Sequence, residues 1–547
     1  MSIITQWLGY PAAHDRILSM IGIEVHWAIL QYVLGLPFMA FIAELLYLKT
    51  GQAKWLRLAK TLAKGFILVF AVGAATGTAS EFGLVILWPN LLEAAGRYIY
   101  FPLYAEIFAF IMEVVFIYLL WYGWERLPKK VHAVITLLAF LGAWYSAAMI
   151  ISVNSYMVAP TGIHAAYDPY AGWRYTEGYP KIELYVPDTV LRVLDVDKLV
   201  SLGMEVQEVD GSGAKVLMPV SIVRQLADEA WQGYKVQDSV LRTVLKPEYA
   251  EDQAVLQTPV KSLVDTILVA TIKRIGIYTV TFKSPAYLGS LLHALGSGLT
   301  VSGFTVLAAY ILRMAKMPPN ASEEYRNYVE SAYRFAAVFS LIVIALQGTV
   351  FGHELGTAVA MYNPEKFAAM EGTSAQLSLN LAKLLGAEKL MPLIAYGDLN
   401  AKLPVYDDIP ENYCALPGAS LGYSCRPPLI IHYLYYSKIV LGTLLGLYAL
   451  LVVFFLWRGR KAPGVLVKLG LATPIAVQLV SFLGWATREI GRKPWTIYGV
   501  MTVDTAHTVN PPSAGEVVLV ASFFIVVLAA LAYLVWRLLW VPGREGV

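Results

Sequence analysis

Long apolar runs broken at intervals by short clusters of charge dominate the chain. They fall at about 17 to 48, 59 to 87, 98 to 124, 131 to 157, 285 to 315, 329 to 351, 428 to 457, 466 to 488 and 515 to 540. A run of roughly 20 apolar residues crosses the hydrocarbon core as a helix, because lipid offers no partner to an open backbone. The pattern therefore predicts about nine transmembrane helices. Lys49, Lys54, Arg57 and Lys60 follow the first run; Arg126, Lys129 and Lys130 follow the third; Arg458, Arg460, Lys461 and Lys468 separate the seventh and eighth; Arg537 and Arg544 close the last. Positive charge marks cytoplasmic loops. These clusters lie on one side, which predicts an outside N-terminus and a cytoplasmic C-terminus, as an odd helix count requires.

Two outer connections are long. The first, 160–283, has an alternating stretch Lys181 to Val186, a helical stretch near Asp197 to Leu202, strand-like pieces flanking Asp210-Gly211, and a helical stretch near Ser221 to Trp231. It predicts a small α+β insert. The second, 352–427, holds both cysteines, Cys414 and Cys425, and an outer location permits a disulfide between them. The expected organisation is helices 1–4 in 1–159, the insert in 160–283, helices 5–6 in 284–351, an outer loop in 352–427 and helices 7–9 in 428–547.

Composition agrees with an all-α integral membrane fold carrying that insert. Of 547 residues, 57% are hydrophobic and 15% charged, too apolar for a soluble globule. The net charge of +3 comes from Lys and Arg spread over short loops, so no basic patch points to nucleic acid. The first apolar run has full spanning length and no small-residue cleavage site, so no cleavable signal peptide is expected. An internal repeat of the kind that marks many transporters is not visible.

Ionisable residues inside such runs are the functional candidates, because a charge at mid-bilayer costs about 3 kcal/mol or more. Glu489 stands in GWATREIGRKPW, Gly484 to Trp495, at the end of the eighth run. It either pairs with Arg488 or Arg492 near the membrane face or serves a buried site. Glu106 and Glu113 are seven residues apart, nearly two helical turns, which puts both on one face and predicts a proton-handling row. Glu44 and Glu81 add two more acids. His26 and His293 lie within spans, and imidazole is a common haem-iron ligand. No Cys-x-x-Cys-His motif is present, so covalent haem attachment is not indicated. His14, His132, His164, His353, His432 and His507 fall at span ends or in loops.

The combination resembles the large, haem-bearing subunit of the cytochrome bd-type quinol oxidases. The resemblance rests on GAATGTASEF (Gly73 to Phe82), the Glu106/Glu113 span ending YGWERL, NSYMVAPTG (Asn154 to Gly162), GHELGTAVAMYNPEKFAAMEG (Gly352 to Gly372) and GRKPWTIYGVMTVDTA (Gly491 to Ala506). It implies that His26 and Glu489 are axial ligands of two high-spin haems, one of them haem b and the other haem d or a second haem b. Glu106 would sit beside that pair, and Glu113 with Ser146 would line a proton route from the cytoplasm. His293 matches a ligand of the low-spin b haem. Arg492, placed to offset a haem propionate or Glu489 itself, joins Trp485 and Lys438 in the cofactor-binding set. Lys366 and Glu371 match the basic and acidic pair of the quinol-binding loop.

Departures accompany the match. The family's second low-spin ligand is a methionine, and an ungapped alignment puts Lys438 at that position; Lys438 or His432 would ligate, or the haem would be five-coordinate or absent. Glu106 and Glu113 are one residue closer than in the family. The insert is unusually long and the quinol loop correspondingly short.

The function implied is quinol:oxygen oxidoreduction in a prokaryotic cell (inner) membrane. Ubiquinol or menaquinol is oxidised outside and O2 is reduced to water with cytoplasmic protons, alongside a second membrane subunit. Two rivals stand beside it. A haem-poor scaffolding paralogue would show no Soret band, and a proton-coupled transporter would take up solute without haem.

Overall fold

The computed structural model describes residues 10–232, 243–250, 260–276, 279–374, 390–415, 421–460, 462–508 and 510–535. Four long helices come first: α1 (Ala13–Thr50), α2 (Ala53–Leu87), α3 (Pro89–Gly123) and α4 (Lys129–Val158). The insert follows, with β1 (Ile163–His164), β2 (Tyr167–Asp168), β3 (Gly172–Trp173), β4 (Lys181–Pro187), α5 (Val196–Ser201), β5 (Glu205–Asp210), β6 (Gly213–Pro219), α6 (Val220–Gln232) and α7 (Val260–Ile275). Its main sheet is antiparallel in the order β1-β4-β6-β5, and β2 pairs with β3 separately. The strand over 181–186, the strands flanking Asp210-Gly211 and the helices near 197–202 and 221–231 match expectation, whereas β1 to β3 and α7 were not foreseen.

The membrane part resumes with α8 (Tyr287–Ala315) and α9 (Glu323–Tyr362). The outer loop carries α10 (Pro364–Glu371) and α11 (Leu390–Tyr396); α12 (Ile430–Trp457), α13 (Gly464–Ile490), a hairpin of β7 (Trp495–Ile497) with β8 (Met501–Thr502), and α14 (Ala514–Val535) complete the described chain. Eight described helices, α1 to α4, α8, α9, α12 and α13, are long and apolar enough to cross a membrane. The ninth expected span corresponds to α14, whose apolar part within the described residues, Ala514–Ala530, is shorter.

One boundary differs from expectation. The sixth helix does not stop near 351: it passes through a π-helical turn, Gln347–Phe351, and continues to Tyr362. Gly348, Gly352, His353 and Glu354 look like a polar break in sequence. A single wide turn absorbs them without ending the helix, as such bulges do near functional sites. At 1.5 Å per residue, α9 is about 60 Å long, roughly twice the hydrocarbon thickness. That is longer than one crossing needs, and its end leads directly into α10.

The central packing is α1 on α2, with α8 set between α1, α9 and α13. Leu34, Met39, Phe66, Phe304 and Ala337 are fully buried there. A side chain at Gly35 would put its Cβ 2.3 Å from Ser302 Oγ, so α1 and α8 cross at backbone contact, the small-residue packing used where lipid supplies no hydrophobic drive. Cys414 and Cys425 are joined in a disulfide. That bridge shares one apolar cluster with Val186, Val216 and Ile222 of the insert and with Trp495 and Tyr498. Arg224 on α6, 1% exposed, donates from Nε to Cys414 O at 2.6 Å. The insert is thus built into the same packed unit as the disulfide loop and the 495–498 turn.

Candidate functional site

Two groups of acids are set on either side of the end of α13. Within the helices, His26 on α1 faces α2, where its Nδ1 lies 3.2 Å from Thr76 Oγ1. A Cβ at Gly77 would lie 3.0 Å from His26 Cε1, so the absent side chain there leaves the room the imidazole occupies. At the end of α13, Glu489 is held on both oxygens: Asn154 Nδ2 donates to Oε1 at 2.9 Å and Arg492 Nη2 to Oε2 at 2.7 Å. The arginine pairing foreseen from sequence is present. Arg488 turns the other way, donating to Asn154 Oδ1 and, at 3.0 Å, to Ser290 Oγ.

The turns bearing His26 and Glu489 face each other through Trp27 and Trp485, stacked at 4.8 Å. Glu24, 8% exposed and absent from the sequence-predicted set, is an acidic neighbour of Glu489. Its signal was legible as a second acid in the first apolar run, two residues before His26. Among the described residues no hydrogen bond joins His26 to Glu489.

Ser146 Oγ donates to Glu106 Oε1 at 3.0 Å, so among the residues expected on the proton route the serine is bonded to Glu106. Side-chain direction decides this, because α4 runs antiparallel to α3 and a sequence cannot reveal which turn of one meets which turn of the other. Glu81 and Glu113 are the charged neighbours of Glu106. Glu113 is 6% exposed and packs under Gly142, where a Cβ would meet its Cγ at 3.2 Å. Glu44 belongs to a separate buried clasp: Thr136 Oγ1 donates to its Oε1 at 2.7 Å and His132 Nδ1 lies 3.1 Å from Oε2.

His293 on α8 has Gln347 Nε2, from the π-helical turn, 3.2 Å from its Nδ1. The cations facing it are Lys438 and Arg488. His432 is engaged elsewhere, with Nδ1 2.9 Å from Met370 O.

Outside the spans, α10 carries Glu365, Lys366 and Glu371. Asn363 caps it, accepting from Lys366 N, and Pro364 opens it, both favoured at a helix start. Lys366 Nζ donates to Arg488 O at 3.1 Å, and burial followed by the Arg488 charge pulls its pKa well below the ordinary lysine value. Glu371 is fully buried. Tyr436 donates to its Oε2 at 2.9 Å, and burial pushes its pKa up to about 7 against that bond. Glu365, missed in the sequence, accepts from Tyr498 at 2.7 Å and Tyr175 at 3.3 Å, and burial raises it also to about 7. Lys493, beyond α13, is lowered to about 7 by burial.

The residues present suit a large anionic group at the end of α13. Arg492 Nε and Nη1 and Trp485 Nε1 are buried donors with no hydrogen-bond partner among the described residues. Such donors are costly unless something accepts from them, and the carboxylates of a haem are acceptors of that kind. The His26 imidazole, oriented by the Thr76 hydroxyl, has the kind of outer hydrogen-bond partner that ligating histidines use.

A polytopic helical membrane protein with in-span acids and imidazoles below a loop of buried acids and a lysine has the form of a membrane redox subunit. The chain belongs to the family described as Cytochrome bd terminal oxidase subunit I, which matches residues 15–176 and 253–547. A Bacillus subtilis (strain 168) protein, named provisionally a cytochrome bd menaquinol oxidase subunit I, is 23% identical over 513 residues, 91% of this chain and 89% of that one. Cytochrome bd ubiquinol oxidase subunit 1 of the same organism is 37% identical over 138 residues, 25% of this chain and 30% of that one. The structure of bd oxidase from Geobacillus thermodenitrificans shares the fold with a TM-score of 0.65 at 22% identity, covering 97% of this chain and 98% of that one.

Proposed function

We propose that this chain is the haem-bearing, quinol-oxidising subunit of a terminal oxidase that reduces O2 to water. The observation that carries this reading is the bond from Lys366 Nζ to Arg488 O, at 3.1 Å. It joins the substrate loop to the helix end that holds Glu489, so the two halves of the reaction would meet within one turn of α13. Glu371 acts as the base for a quinol hydroxyl, since a carboxyl poised near 7 both accepts and releases a proton at working pH. Lys366 orients the quinol oxygen.

His26 and Glu489 would hold the high-spin haem pair, one of b type and the other of d or b type, with Arg492 and Trp485 on the carboxylates. His293 would hold the low-spin haem. Lys438 suits the other side of that haem better than His432, because it faces His293 whereas His432 Nδ1 is bound to the loop backbone. Bound haem supplies the one-electron chemistry. Glu106, steadied by Ser146, and Glu113 carry protons from the cytoplasmic side. Glu81 is exposed on α2 beside Glu106, and a carboxylate on an open intramembrane face favours a second membrane subunit as its cover.

A pyridine haemochrome spectrum with haem-to-protein ratio tests this. Wild type should hold haem, and His26→Ala, Glu489→Ala and Lys438→Ala should each lower the ratio or alter the spectrum. A purified oxidase complex with no Soret band would overturn it and leave the scaffolding reading.

A further inference from the structure

Two buried polar atoms beside the proposed base are left over. Glu371 Oε2 is taken by Tyr436, but Oε1 has no hydrogen-bond partner among the described residues, and neither has the hydroxyl of Tyr396 at the end of α11. Glu371 is 0% exposed. Both belong to one neighbourhood. Tyr396 packs in the apolar cluster of Phe367, Met370 and Ile431, its ring edge-on to Phe367 at 6.3 Å, and its phenol lies close enough to Glu371 to feel that charge. A carboxylate oxygen can only accept and a phenol can donate. One ligand hydroxyl satisfies both, giving its proton to the first and accepting from the second.

We propose that Tyr396 is a second quinol-binding residue: one quinol oxygen donates to Glu371 Oε1 and accepts from the Tyr396 hydroxyl. This rests on the reading of Glu371 as the quinol base. The proton step balances as ArOH + RCOO⁻ giving ArO⁻ + RCOOH, the quinol O–H bond breaking and the new O–H bond forming on Glu371. Negative charge then grows on the oxygen that Tyr396 faces, and a hydrogen bond to an anion is stronger than one to a neutral hydroxyl. Tyr396 therefore holds the substrate and also favours its deprotonation. Its own position comes partly from the insert, because its ring lies 6.5 Å from that of Tyr167, whose hydroxyl donates to Lys402 O at 2.9 Å.

The test is Tyr396→Phe in the full chain within the purified oxidase complex, with decylubiquinol as the substrate. The ring and its packing are kept, and an unchanged visible spectrum after chemical reduction reports an intact fold. The expected result is a rise in KM of about ten-fold, with a smaller fall in kcat. Glu371→Gln is measured alongside. If Glu371→Gln abolishes quinol oxidation while Tyr396→Phe leaves KM within about two-fold, the two atoms are satisfied by water and the assignment of Tyr396 is wrong. If Glu371→Gln has no effect, the reading of the base itself fails.

Discussion

The acids in the spans and the acids outside them are arranged differently. Glu371 and Glu365 are anchored by phenols, each of which donates to a carboxyl held near neutral pH by burial. Glu106 accepts from one serine and has two acidic neighbours, and Glu113 lies under a glycine on the facing helix. An acid that must meet a substrate in one orientation gains from a rigid partner on one oxygen while the other stays open. An acid that passes protons along a row gains from few fixed partners and from neighbours of its own kind. The contrast fits the proposal that Glu371 meets the substrate while Glu106 and Glu113 relay protons.

The largest effect should come from separating the two. Glu371→Gln should slow reduction of the enzyme by quinol by about 100-fold while leaving oxidation of the pre-reduced enzyme by O2 at its normal rate. Glu106→Gln should do the reverse. Stopped-flow spectra of each half-reaction decide this, and both variants failing at the same step would end the distinction.

A middle-sized effect concerns pH. Burial raises the Glu371 pKa to about 7, so the carboxyl is neutral and unable to accept a proton below that value and ionised above it. Quinol oxidation should rise with pH and level off above about 7, the value Glu365 shares. Glu365→Gln should keep that inflection; its disappearance would make Glu365 the base. The smallest effect is expected for Tyr436→Phe. The Tyr436 hydroxyl favours the ionised carboxylate, so its loss should move the inflection to higher pH without a large change in the plateau rate.

Much of this was legible in the sequence because lipid makes strict demands. Apolar runs became helices, and the insert's alternation at Lys181 to Val186 became a strand, paired with β1 and β6. What remained hidden depends on distance in the chain. Ser146 was foreseen on one route with Glu113, but its bond to Glu106 depends on the stagger of α3 and α4. The helical run through Gly352 was hidden because a π-turn has no composition of its own. Glu365 and Tyr396 were invisible for another reason: their chemistry comes from burial by segments up to hundreds of residues away, including Tyr175 of the insert.

The shared cluster of insert strands, disulfide and Trp495 has one more consequence. Family matching leaves 177–252 uncovered, which invites the idea of a removable appendage. Yet strand residues such as Val186 and Val216 are 0% exposed against groups that also shield the end of α13. Their amide protons should therefore exchange with solvent only when the outer face opens as a unit, making insert and membrane-proximal turn a single cooperative folding element.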